Sequence, residues 1–105
     1  MNMLDAMGKE GNFNPWWDFI LNGNGNELYG MGKNRYGKEA TASDALKDLG
    51  FSMGQNGDVE LAVEQGMTSK DYVRGIMLAT GMGEDAASAI FSEIVGHSEG
   101  ISGLL

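Results

Sequence analysis

Glycines at positions 50, 66, 81 and 96 recur at intervals of 16, 15 and 15 residues, and they constrain this chain more than any other feature. Three of the four are followed by a large apolar residue: Phe51, Met67 and Met82. Glycine adopts the left-handed conformation that closes a helix, and a following apolar residue can fold back onto the last turn. The spacing therefore predicts one short helix–turn unit used repeatedly. Fifteen residues is too few for a helix-pair solenoid, whose repeats run to roughly 33–47 residues. Short links also make neighbouring helices cross, so a compact orthogonal bundle is expected.

The segments between the stops fit that reading. Thr41 to Asp44 supplies N-cap candidates, and Ala42, Ala45, Leu46 and Leu49 form one apolar stripe. Asp58 is placed to cap a helix over 59–65, with Leu61 and Ala62 turned inward. Thr68-Ser69-Lys70-Asp71 resembles a capping box with Asp in place of Glu, opening a helix over 69–80. Glu84 and Asp85 suit the first turn of a helix over 84–95, where the dipole favours acids. Gly96 is expected to end it.

Earlier in the chain, Asn14 and Pro15 start a short helix over 15–21 that carries Trp16, Trp17, Phe19, Ile20 and Leu21. Such a helix is apolar around most of its circumference and cannot stand alone. Residues 22–37 hold many Gly and Asn and read as a loop or loose hairpin, with Leu28-Tyr29 and Arg35-Tyr36 as packing groups. The expected fold class is all-α: an acidic helical bundle over 41–105, preceded over 1–40 by an aromatic arm and a Gly/Asn-rich connector.

Charge narrows the function. The formal net charge is −8, and no base follows Arg74. A phosphate backbone would be repelled by that half, so direct nucleic-acid binding is disfavoured. Adsorption to an anionic membrane is disfavoured for the same reason. With no cysteine, disulfides and thiolate metal sites are excluded. The start, MNMLDAMGKEG, lacks the pattern of a signal peptide. A cytoplasmic, reducing setting or a place inside a viral or macromolecular assembly is expected.

Motifs for chemistry fail on inspection. Gly25 to Gly30 has the glycine spacing of a phosphate loop, yet Met31 stands where Lys belongs and no apolar strand precedes it. Asn22, Asn24 and Asn26 alternate like calcium ligands, yet Lys33 occupies the twelfth position, which requires Glu. His97 is the sole histidine and suits a helix C-terminus better than a catalytic triad. No catalytic residue, cofactor or metal is therefore expected. Leu46 to Phe51 and Gly57 to Glu64 resemble two pieces of a ubiquitin-associated domain. The middle helix of that family has no counterpart, since only residues 52–56 lie between them, and nothing is carried over.

Six of nine aromatics, Phe13, Trp16, Trp17, Phe19, Tyr29 and Tyr36, precede residue 37. Tryptophan and tyrosine dominate interface hot spots, so these six are the candidate partner-binding residues. Because Trp16 and Trp17 point about 100° apart on a helix, one is expected to pack inside the chain and the other on a second chain. The expected function is a non-enzymatic subunit or accessory that binds a protein partner or another copy of itself. It resembles small phage accessory proteins in style only. The alternative is an acidic inhibitor that covers a basic nucleic-acid-binding surface through Glu84, Asp85 and Glu93.

Overall fold

A computed structural model describes residues 14–54 and 59–97. Phe13 and the expected cap Asp58 lie outside the described residues. The elements run in the order α1 (Asn14–Leu21), α2 (Asn26–Tyr29), β1 (Met31–Lys33), β2 (Glu39–Thr41), α3 (Ala42–Leu49), β3 (Phe51–Met53), β4 (Val59–Leu61), α4 (Ser69–Thr80) and α5 (Glu84–His97). The expectation of an all-α bundle is thus corrected: the fold is mixed, with two small antiparallel hairpins set among the helices.

Four helices fall where the sequence places them, and their ends show why. Thr41 Oγ1 accepts the Asp44 amide at 3.1 Å and opens α3. Gly50 closes α3 at φ +111°, its amide donating back to Leu46 and Lys47. Thr68 and Asp71 form the reciprocal capping box of α4, which Gly81 closes at φ +77°. Gly66 also has positive φ, but it serves a turn after a strand rather than a helix end. The expected stop at Gly96 is absent, because α5 continues through Gly96 to His97.

The helix expected over 59–65 is instead a strand. Val59, Glu60 and Leu61 pair with Met53, Ser52 and Phe51. Both triplets alternate apolar–polar–apolar, so Phe51, Met53, Val59 and Leu61 share the covered face while Ser52 and Glu60 face solvent. In so short a run the strand and helix periods cannot be told apart, and cross-strand pairing decides. Gly50 helps to seat this hairpin. Its carbonyl accepts the Ala62 amide at 3.0 Å, and a Cβ there would lie 2.6 Å from the Ala62 carbonyl oxygen.

The Gly/Asn-rich connector leads into a hairpin, β1–β2, with Met31 opposite Thr41, Gly32 opposite Ala40 and Lys33 opposite Glu39, and departs from the expected loop or loose hairpin only in the single-turn helix α2. Gly32 presses against the end of α4. A Cβ there would sit 2.6 Å from the Leu78 carbonyl oxygen and closer still to that of Ala79. Only glycine lets the strand approach helix backbone so closely.

A single buried cluster joins α1, α3, α4, α5 and the β3–β4 hairpin. Its spine is a ladder of rings. Trp16 meets Trp17 edge-on at 4.9 Å, Trp17 meets Phe51 at 4.6 Å, Phe51 meets Tyr72 at 6.2 Å, and Tyr72 stacks on Phe91 at 5.6 Å. Buried Ser43 ties α1 to α3 by donating to the Leu21 carbonyl at 3.0 Å. Helix α1 is therefore built into the core rather than held away from it.

Candidate functional site

Burial sorts the five aromatic candidates among the described residues. Trp16 and Trp17 are both fully buried within their own chain, which corrects the expectation that one of them faces a second chain. The T-shaped pair fills two directions at once, because Tyr29 covers Trp16 while Phe51 covers Trp17. Trp16 Nε1 donates to the Tyr29 hydroxyl at 2.9 Å, whereas Trp17 Nε1 is buried with no acceptor among the described residues. Tyr29 and Phe19 are half-buried, and Tyr36 is exposed. Of the three acidic candidates, Glu84 and Asp85 are exposed in the first turn of α5, and Glu93 is half-buried and engaged.

What the fold exposes instead lies mainly between residues 28 and 36. Among the described residues, Leu28, Met31 and Tyr36 are 61%, 62% and 65% exposed, and Val63 is 41% exposed. Met31 and Lys33 project from the same face of β1, since alternate residues of a strand do so. Gly32, between them, is the residue turned toward α4, and two adjoining clefts that share Lys33 and Leu78 lie along β1 and α4. The larger, of about 750 Å³, lies among Arg35, Tyr36, Glu64, Met67, Asp71 and Arg74. The smaller, of about 360 Å³, lies among Tyr29, Met31, Glu39, Met77 and Thr80. Together they make a groove with an apolar floor of Met67, Met77 and Leu78, walled by the β1–β2 hairpin.

Arg35 holds that wall in place. Its guanidinium pairs with Glu64, donates to the Tyr36 hydroxyl at 2.6 Å and to Met67 Sδ at 3.3 Å, and stands 3.7 Å from an Asp48 oxygen. It also lies 4.9 Å from the centre of the Tyr36 ring. The hydrogen bonds it donates to Glu64 and then to Tyr36 raise its already high pKa, so it stays charged. Around it, the Asn34 side chain accepts the amides of Tyr36 and Lys38 and shapes the turn.

The carboxylates of the larger cleft are occupied internally. Glu64 serves Arg35. Asp71 accepts from the Thr68 amide at 2.9 Å and from the Thr68 hydroxyl at 3.1 Å. These bonds, backbone first, lower the Asp71 pKa, and nearby Arg74 lowers it further. Lys33 and Arg74 are left with no carboxylate oxygen within 4.0 Å among the described residues.

Sequence reasoning singled out Tyr36 and noted Arg35, but missed Met31, Lys33, Glu64 and Arg74. A usable signal was present. Most bases of this acidic chain fall within 33–47 and 70–74, and two such patches in one small fold invite the question of whether they meet. Among the described residues, no three of His, Cys, Asp and Glu converge as a metal site would require. No described helix is long and apolar enough to cross a membrane. Compared with protein-family models, curated proteins and solved structures, the chain matches none.

Proposed function

We propose that this protein is a small, non-enzymatic interaction module that seats a segment of a partner protein in the groove between the β1–β2 hairpin and α4. The observation that carries the reading is the exposure of Met31 and Tyr36 on the wall of a groove whose floor is methionine and leucine. Large apolar side chains held in water beside an apolar floor mark contact surfaces. Methionine adapts its shape to different partners, and tyrosine offers apolar area at little entropic cost. Pinning of the hairpin by Arg35 keeps the wall preorganised, which lowers the entropic cost of binding.

Site-specific photo-crosslinking tests this. A benzoylphenylalanine at position 31 or 36, in extract of the native source, is expected to capture a discrete protein species. The same group at exposed position 60, on the other hairpin, is expected to capture none. Identical adducts from positions 36 and 60, or none from either groove position, would refute the reading.

A further inference from the structure

We infer that the segment seated in this groove is an extended strand that pairs, backbone to backbone, with the free edge of β1 and turns an apolar side chain toward Met77 and Leu78. The inference rests on the proposed docking function and names the form and chemistry of its partner.

The hydrogen-bond alternation of the hairpin carries it. Asn34 donates its amide to the Lys38 carbonyl at 2.9 Å. In an antiparallel ladder, bonded and non-bonded pairs alternate. With Lys33 opposite Glu39, Gly32 opposite Ala40 and Met31 opposite Thr41, the Gly32–Ala40 pair is therefore bonded and the two flanking pairs are not. The amides and carbonyls of Met31 and Lys33 consequently point away from β2. No group among the described residues takes them up, and both residues are exposed. The smaller cleft lies along this edge: β1 gives it Met31, Gly32 and Lys33, whereas β2 gives it only Glu39.

An antiparallel segment laid against this edge places one residue opposite Met31 and another, two positions away, opposite Lys33. Each of these pairs exchanges two backbone bonds. The residue between them falls opposite Gly32 and shares its face of the sheet. That face is the one turned to α4, because a Cβ on Gly32 would meet the Leu78 and Ala79 carbonyls. The middle side chain thus heads for the smaller cleft, where Met77 and Leu78 suit an aliphatic or aromatic group. A helical segment satisfies its own amides and would leave the β1 edge unpaired. Addition of a strand to an open sheet edge is a general mode of peptide recognition, in which backbone bonds give affinity and alternate side chains give specificity.

The test uses the full chain and random dodecapeptides on a display library, followed by N-methylation of each amide of a selected peptide in turn. Binding is expected to fall by about tenfold or more at two amides two positions apart, and to change little at the amide between them. Bound peptide is expected to slow hydrogen exchange at the Met31 and Lys33 amides and to shift the resonances of residues 77–81. On the protein side, Lys33→Pro removes an outward amide without touching the Gly32–Ala40 bonds, and it should weaken the peptide by about tenfold. Lys33→Ala keeps that amide and should not. Circular dichroism checks that Lys33→Pro folds, and the peptide scan reads the same bonds on the unaltered chain. Peptides that shift the same resonances yet take up helix, or tolerate N-methylation at every position, would overturn this inference while leaving the docking function standing. Peptides that map elsewhere, or no selected peptide at all, would overturn both. A dimer of the chain alone, seen by light scattering and abolished by Lys33→Pro, would give the edge to a second copy and overturn the partner segment.

Discussion

Replacing Gly32 with alanine isolates the contact on which the groove wall depends. Gly32 does not have positive φ, so its backbone conformation is open to alanine. On chain entropy alone, Gly→Ala would then stabilise by about 0.4–1 kcal/mol, because the unfolded chain becomes stiffer. The tertiary contact reverses that sign. The new Cβ would lie 2.6 Å from both the Leu78 oxygen and the Ala79 carbonyl carbon, and both are backbone atoms that no rotamer change can move. To reach an ordinary separation of roughly 3.5 Å, β1 must withdraw from α4 by about 1 Å, which forfeits a quarter to a half of each affected dispersion contact. Overpacking of this kind costs about 1–3 kcal/mol, and the close range here argues for the upper part. Net of the entropic gain, Gly32→Ala should destabilise by about 2 kcal/mol and lower Tm by roughly 10 °C. Urea unfolding followed by tryptophan fluorescence measures it directly, since Trp16 and Trp17 are both buried. A variant as stable as the parent, or more so, would show that β1 does not lie against the end of α4 and that the groove has no such wall.

Two further predictions probe the core and the start of α4. A Cβ on Gly75 would lie 2.5 and 2.7 Å from the Leu49 methyls, which are mobile ends rather than backbone, so Gly75→Ala should cost only about 1–2 kcal/mol. Combined with Leu49→Ala, its cost should shrink by roughly 1 kcal/mol, and strict additivity in the double-mutant cycle would deny the α3–α4 contact. Thr68 hydrogen bonds lower the folded pKa of Asp71 below its ordinary 3.8, so the stability linked to Asp71 is present above that value and is lost as pH falls through the folded value. The Tm of the parent should therefore fall more steeply on acidification than that of Asp71→Asn, and parallel pH profiles would contradict the capping geometry.

How much of this was legible depends on the range of the forces involved. Helices α1, α3, α4 and α5 were readable because their determinants are local. Thr41 and Thr68 bond to amides three residues ahead, Gly50 and Gly81 adopt a conformation that costs other residues strain, and apolar stripes repeat within a turn. The two hairpins were not readable in the same way. Val59-Glu60-Leu61 satisfies both periods, and only pairing with Phe51-Ser52-Met53 selects the strand. Met31-Gly32-Lys33 carries no strand propensity worth naming. It becomes a strand because glycine and the opposing Ala40 let it lie against the end of α4.

The candidate site divides along the same line. Clustering of aromatic residues before position 37 was visible in the chain, but which of them would be covered was not. Trp16 and Trp17 looked too bulky for one small bundle. Tyr29, Phe51, Tyr72 and Phe91, drawn from four separate elements, extend them into a single ladder of rings. Local sequence thus determined four of the helices and the stops at Gly50 and Gly81, since those free energies are settled within a few residues. Tertiary structure alone decided that Arg35 meets Glu64 across 29 positions and that Lys33 and Arg74 line the same cleft. Those contacts exist only once the packed core has offset the entropy of closing the loops between them.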